Sequence, residues 1–177
     1  MSARKLTLIS IFLLSLLVAT AQNKLDVFEH HTDVGNPVKP GSTVYVPETR
    51  QFIISGAGAN VWADHDEFQF CWKKMKGDFI LYAKAEFVGS WVDYHRKVGW
   101  MVRKTLDANS PHVNAVEHGD GLTSLQFRRT AGAQTEEHKL KIAKANVLQI
   151  QSSSKSSNCV VVFFITVCLI NKSKQFK

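Results

Sequence analysis

Hydrophobic and polar residues alternate with a period of two along much of the chain. Successive side chains of a β-strand point to opposite faces, so this pattern predicts strands. No segment before Gln134 shows a sustained helical period. The predicted strands are Asp26 to His31, Thr43 to Val46, Gln51 to Ser55, Glu67 to Lys73, Phe79 to Val88, Lys97 to Leu106, His112 to His118 and Ser124 to Thr130.

Turn signals separate these strands. Pro47 to Arg50 reads as a hairpin turn, and Gly119-Asp120-Gly121 as a second turn. The intervals are too short for the crossover helices that parallel strands need. The sequence therefore predicts an all-β sandwich or barrel, in which each sheet has one polar face.

The first 21 residues have the three parts of a secretory signal peptide. Arg4 and Lys5 are positive, Leu6 to Val18 is largely apolar, and Ala19-Thr20-Ala21 is an A-x-A exit. The alternative is an uncleaved membrane anchor, but the apolar run is short of the ~20 residues that a span needs. We predict cleavage after Ala21 and a secreted or periplasmic mature chain without a transmembrane span.

The net charge of +7 is unevenly distributed. From Gln22 to Glu137 there are 13 basic and 15 acidic residues, whereas His138 to Lys177 contains seven Lys and no acid. The basic balance belongs to the tail, so the sequence gives no reason to expect a nucleic-acid partner. A hydrophobic content of 45% favours a folded core over disorder.

Three cysteines are too few for a disulfide framework. Cys71, Cys159 and Cys168 are 88 and 9 residues apart, spacings that match no metal motif. Their odd number leaves at least one free thiol or an intermolecular bond. We predict that Cys71 is a small core residue.

The candidate catalytic and metal-binding patterns are weak. Asp66, His118 and Asp120 are the best candidate metal ligands, but adjacent strand residues point to opposite faces, and we predict no metal site. Asp64 and Asp66 are the candidate carboxylate pair for glycoside hydrolysis, but the E-x-D-x-x-E pattern of laminarinase-like enzymes is absent. G-x-S-x-G and phosphate-loop motifs are also absent. The prediction is a non-enzyme without a cofactor.

Tryptophans are the other candidate binding residues, since flat aromatic faces stack on sugars. Trp62 and Trp91 lie near turns, where a sugar-binding role and a core role are equally well supported. For Trp72 and Trp100 we favour the core.

A set of short motifs carries a family resemblance. They are Asn60-Val-Trp62, Asp66-Glu67-Phe68, Lys76-Gly77-Asp78-Phe79, the segment from Asp93 to Arg103, Pro111-His112-Val113, the segment from His118 to Leu122, and Leu125-Gln126-Phe127-Arg128-Arg129. In this order they resemble the N-terminal domain of secreted bacterial TolB-like proteins, also labelled biopolymer transporter TolR. That domain is similar to the concanavalin-A-like lectin/glucanase sandwich. The resemblance covers about residues 26–150.

The resemblance implies a two-sheet jelly roll whose polar sheet face binds a glycan. It also implies a longer protein, in which a TolB-like β-propeller follows the sandwich. The predicted organisation is a signal peptide over 1–21, a partial β-sandwich domain over 22–151 and an atypical tail over 152–177.

The tail departs from this pattern. Cys159 to Ile170 is apolar except for one threonine and is rich in β-branched residues, after a Ser/Lys-rich bridge. One interpretation is a native, buried final strand. We favour a shifted reading frame or premature end near Gln151, because the family pattern and the acidic residues are lost together.

The sequence favours a non-catalytic β-sandwich module that binds carbohydrate or cell-wall polymer. The alternatives are a structural or interaction domain of a TolB-like envelope protein, and a glycan-active hydrolase. The predicted ligand-binding residues are Asn60, Trp62, Asp66, His95, Arg103, His112, Asn114, His118, Asp120 and Gln126.

Overall fold

The computed structural model describes residues 25–89, 93–140, 142, 145, 147–152 and 160–167. All regular structure within them is β-strand, and all strand pairs are antiparallel. The strands are β1 (His30–Val34), β2 (Ser42–Val46), β3 (Gln51–Ser55), β4 (Val61–Trp62), β5 (His65–Asp66), β6 (Phe68–Met75), β7 (Phe79–Lys84), β8 (Lys97–Arg103), β9 (His112–His118), β10 (Thr123–Arg128), β11 (Glu136–Leu140), β12 (Val147–Ser152) and β13 (Val160–Val167).

Seven strands form the main sheet, in the order β1-β6-β13-β8-β9-β10-β11. The other strands form three two-stranded pairs, β12 with β7, β2 with β3, and β4 with β5. Strand β13 lies inside the main sheet, where Ile165 is in register with Phe70 on β6 and with Gly99 on β8. The last strand in the sequence therefore joins two halves of the sheet.

One face of the main sheet is apolar. Val98 and Trp100 of β8 pack with Phe79 of β7 and with Leu148 and Ile150 of β12. The predicted inward positions of the 79–88 segment are confirmed, since all five belong to this cluster: Phe79, Leu81, Ala83, Ala85 and Phe87. Burial of each large side chain contributes roughly 2 kcal/mol, so this cluster holds the β7–β12 pair against the sheet.

An aromatic contact joins a second strand pair to the same face. The ring of Phe28 lies 5.0 Å from that of Phe52 on β3 and 6.4 Å from that of Trp100. The β2–β3 hairpin, predicted around the turn at Pro47 to Arg50, is confirmed by the pairing of Val46 with Gln51.

The opposite face begins as an apolar cluster and becomes polar along β8 to β11. Val34, Val61, Phe68, Phe70 and Met101 form the apolar part. Directly paired residues of antiparallel strands point to the same face. Asn114 pairs with Met101 and Gln126 pairs with Asn114, so the polar side chains continue the face that Met101 marks.

Gly99 allows β8 and β9 to approach each other closely. A Cβ atom at this position would collide with the carbonyl oxygen of Ala115. A side chain at residue 99 would push β9 away and displace the polar residues that β9 carries.

Several predicted boundaries were wrong. The first strand starts at His30, not Asp26, because Asp26 has a positive φ and Phe28 N–H bonds to the Leu25 carbonyl in a turn. Strand β7 ends at Lys84, four residues before Val88. Strand β8 ends at Arg103, three residues before the predicted end at Leu106, where the Arg103 guanidinium donates to the Thr105 carbonyl and the chain turns away.

Cys71 is fully buried, as predicted for a core residue, and burial raises the pKa of its thiol to about 12. Cys159, Cys168 and the predicted signal peptide lie outside the described residues. Where the structure describes the chain, no helix has the length and hydropathy to cross a membrane.

Candidate functional site

Polar side chains fill the interior of the main sheet's second face, which we call the polar face. Charged and amide side chains seldom occupy fully buried positions unless they have partners. The eight buried members are Lys97, Arg103, His112, Asn114, His118, Ser124, Gln126 and Arg128. These side chains form three groups. Arg103, His112 and Arg128 surround Asp66 in what we call the Asp66 network; Lys97 and His118 form the Lys97 end; Asn114 and Gln126 are an amide pair between the two.

The Asp66 network lies at the end of the face covered by β4 and β5. Arg128 donates two hydrogen bonds to the Asp66 carboxylate, at 3.0 Å and 2.8 Å. Its other hydrogen bonds include those to the carbonyl of Ala133 at 3.0 Å, the carbonyl of Ala63 at 3.1 Å and the Thr135 hydroxyl at 3.1 Å. The side chains of Asp66 and Arg128 are fully buried. This bidentate pair therefore ties the β4–β5 segment to β10.

Two further side chains share the same carboxylate. The guanidinium of Arg103 lies 3.4 Å from Asp66, and the His112 ring lies 3.5 Å from it. Burial lowers the pKa of Arg103 to about 10, which still leaves it charged at neutral pH. Burial also lowers the pKa of His112 to about 4, against the attraction of Asp66, so that ring is neutral.

The Lys97 end lies toward β11. Lys97 is in register with His118, and its ammonium donates to the Asn60 side-chain oxygen. Burial lowers the pKa of Lys97 to about 8, although Glu137 favours the charged form. Burial and the charge of Lys97 lower the pKa of His118 to about 4, so this ring is also neutral at pH 7.

Glu137 links this end to the centre of the face. Its carboxylate accepts a 2.9 Å hydrogen bond from the Gln126 amide, whose nitrogen also lies 3.3 Å from the His118 ring. Burial acts to raise the pKa of Glu137, but hydrogen bonds from Gln126 and Ser124 and the nearby charge of Lys139 lower it overall.

Asn114 and Gln126 form the amide pair at the centre. Both are fully buried and are directly paired in the ladder. Both amide atoms of Asn114, and the Gln126 carbonyl oxygen, have no hydrogen-bond partner in the part of the chain that the structure describes. Such atoms cost roughly 1–3 kcal/mol each when buried. They are therefore polar atoms of this face whose hydrogen-bonding capacity is not used within the described chain.

The structure brings together six of the ten predicted site residues. Asp66, Arg103, His112, Asn114, His118 and Gln126 share the polar face or contact it. Asn60 lies at the border of this face, where its side-chain oxygen accepts a hydrogen bond from Lys97.

The other three predicted residues are exposed. Trp62, at 40% exposure, belongs to the same short strand as Val61 and lies near the Asp66 network. His95 and Asp120 lie in turns: the Asp93 carboxylate caps the His95 N–H, and the Asp120 carboxylate accepts the Leu122 N–H. His95 and Asp120 therefore contribute to the two turns rather than to the polar face. Trp91 lies outside the described residues.

Lys97, Arg128 and Glu137 belong to the site but are not among the predicted residues. The available signals were the even spacing of Lys97 from Arg103 on the predicted 97–106 strand and the even spacing of Arg128 from Gln126. Glu137 had no such signal, because the sequence did not predict β11.

The metal and hydrolase candidates can be placed as well. No group of three or more His, Cys, Asp or Glu side chains suited to a metal ion occurs among the residues described. Asp66 is held by two arginines, whereas Asp64 is exposed and paired with His65 at 2.8 Å. Asp66 is therefore a buried carboxylate bound by arginines, whereas Asp64 is an exposed carboxylate paired with a histidine.

Comparison with known proteins gives no family. No family model, curated protein or solved structure matches this chain.

The buried histidines predict acid sensitivity. The unfolded chain binds protons below about pH 6.5, whereas folded His112 and His118 resist protonation until about pH 4. The free energy of unfolding should therefore fall as the pH drops through this window, by about 1 kcal/mol per histidine at pH 5.5. Urea denaturation at pH 7 and pH 5.5 measures it.

Glutamine variants test whether His112 and His118 cause this loss of stability at low pH. His112→Gln and His118→Gln should each flatten the pH dependence between pH 7 and 5.5, whereas the exposed His65→Gln should leave it as in the parent. Equal slopes in all four proteins would show that the buried rings are not its source.

Proposed function

We propose that this protein is a secreted or periplasmic, non-catalytic module that binds a carbohydrate or cell-wall polymer through the polar face. The observation that carries the proposal is the pair of buried amides, Asn114 and Gln126, with unpartnered atoms. Amide, imidazole and ammonium groups are suited to hydrogen-bond sugar hydroxyls, and the exposed indole of Trp62 offers a stacking surface.

The proposal also includes a specific fold, the concanavalin-A-like jelly roll. An antiparallel main sheet with an apolar face covered by β7–β12 and a polar face with candidate ligand groups supports a concanavalin-A-like jelly roll. The resemblance to TolB-like proteins adds a downstream β-propeller as a further proposal. The arginine pairing of Asp66 supports binding over glycan hydrolysis, since that carboxylate has no free oxygen to act as acid or nucleophile.

The test is a titration with plant and cell-wall glycans, for which we expect dissociation constants of about 1 mM or lower. Trp62→Ala should weaken binding about tenfold through loss of stacking. The matched control is Tyr82→Ala, which removes an exposed aromatic ring from β7. Lack of binding across a broad glycan panel would overturn the proposal.

Asn114→Leu separates a ligand role from a structural one. Its amide atoms have no partner in the described chain, so an apolar side chain of similar volume should leave stability unchanged or raise it. The same variant should lose glycan binding. A destabilised Asn114→Leu protein would instead indicate a structural amide.

One observation favours the alternative of an interaction domain. Ile80, Tyr82 and Val147 expose 58%, 74% and 56% of their surfaces on the β7–β12 pair. Exposed apolar residues that cluster on one surface are typical of protein contacts. In that case Tyr82→Ala would reduce co-purification with envelope proteins and leave glycan binding intact.

A further inference from the structure

A cavity of about 310 Å³ lies between strand β7 and the apolar face of the main sheet. Its walls include Met75 of β6, Trp100 of β8 and Phe28, whose ring lies 6.4 Å from that of Trp100. The cavity opens to solvent beside Ile80 and Tyr82 of β7, which expose 58% and 74% of their surfaces. A small molecule can therefore reach its buried wall from outside.

The lining of this cavity is apolar apart from one charged residue. Of the eight described residues that line it, seven are apolar or aromatic, and the eighth is Lys73 of β6. Small-molecule pockets combine such a lining with a few polar groups and enclose about 300–1,000 Å³. An apolar cavity of about 150 Å³ binds benzene, so this one has room for a ligand of about ten to twelve non-hydrogen atoms.

Lys73 lies on the same face of the main sheet as Trp100. Cys71 and Trp100 are both in register with Phe164 on β13, and Lys73 follows Cys71 by two residues on β6. Lys73 is half-buried, and none of the ion pairs within 4.0 Å among the described residues includes it. The described lining also contains no carboxylate. The cavity thus combines an apolar wall with a cation that lacks an anionic partner there.

We propose that this cavity binds a small amphiphilic carboxylate, whose alkyl chain of about eight to ten carbons packs against Phe28 and Trp100 and whose acid group pairs with Lys73. The apolar wall stabilises the chain by removing it from water, and the ammonium favours an anionic head group. The site is separate from the polar face, because Trp100 and Met101 are neighbours on β8 and belong to clusters on opposite faces of the sheet. The proposal is therefore independent of glycan binding.

Calorimetric titration of the full chain with octanoate, 1-octanol and octylammonium tests the proposal, since the three probes share an alkyl chain and differ in head group. We expect octanoate to bind about fivefold or more tighter than either of the others, a modest factor because Lys73 is only half-buried. Equal affinity for the three probes, or a preference for octylammonium, would overturn the proposed pairing with Lys73. Lack of binding by all three would overturn the site and leave the glycan proposal untouched.

Two variants of adjacent lysines localise the acid group. Lys73→Met keeps an unbranched side chain and removes the charge, so the ratio of octanoate to octanol affinity should fall to about one. Lys74→Met is the matched control, because Lys74 is exposed and points to the other face of β6; it should keep the preference. An unchanged ratio in folded Lys73→Met would overturn the pairing. If Lys73→Met failed to fold, the comparison of octanoate with octanol on the parent protein would decide.

Tryptophan fluorescence locates the alkyl chain. Octanoate should change the emission of the parent protein, and this change should be lost in Trp100→Phe but kept in Trp62→Phe, since Trp62 does not line the cavity. Val147→Ala, on the exposed surface of the β7–β12 pair and outside the lining, should leave octanoate affinity unchanged. Loss of octanoate binding in Val147→Ala, or a full fluorescence change in folded Trp100→Phe, would place the probe outside the cavity and overturn the proposal.

Discussion

Replacing Ile165 by proline should destabilise the protein by at least about 3 kcal/mol or prevent it from folding. Residue 165 lies in the middle of β13, with Phe70 on one side and Gly99 on the other. Proline removes a ladder N–H and is excluded from central strands. The partner carbonyl then loses a buried hydrogen bond, at roughly 1–3 kcal/mol, and the ring disrupts the close packing of backbones.

Urea denaturation followed by circular dichroism measures this effect. Ile165→Val is the matched control, because valine is also β-branched and keeps the backbone N–H; it should cost much less than the proline variant. The result also tests the interpretation of residues 152–177 as a shifted or prematurely ended frame. A proline variant as stable as the parent would mean that this segment contributes nothing to folding, as that interpretation requires.

Local alternation predicted the strands that bury one face and failed for the others. The segment from Phe79 to Phe87 was correctly assigned to the apolar side, and β9 has the predicted bounds. Strand β11 is Glu-Glu-His-Lys-Leu and has no apolar face, since it pairs along the edge of the sheet with β10. Strands β4 and β5 have two residues each, which is too short for a period.

The candidate site required long-range pairing that no local pattern contains. Asp66 and Arg128 are 62 residues apart in sequence and meet only when β5 packs across β10. His112 and His118 were identified from their chemical type, but their neutrality depends on burial. Lys97 resembles a surface lysine in sequence; its register with His118 places it inside.

Asp66→Ala should destabilise the protein by about 3–5 kcal/mol. The carboxylate is fully buried and lies within 3.4 Å of the guanidinium groups of both Arg103 and Arg128. Its removal leaves two buried cations without a counter-ion. Arg128 keeps its carbonyl and hydroxyl acceptors, which satisfy its donors but do not balance its charge.

A double-mutant cycle distinguishes this charge effect from simple loss of contacts. Arg128→Met combined with Asp66→Ala should cost about 1–3 kcal/mol less than the sum of the single variants, because the second change removes one of the stranded cations. Asp64→Ala, at an exposed carboxylate two residues away, should change the free energy of unfolding by less than about 0.5 kcal/mol. If Asp66→Ala cost no more than Asp64→Ala, the network would not stabilise the fold. The β4–β5 segment, with Asn60 and Trp62, would then need another means of attachment beside the polar face.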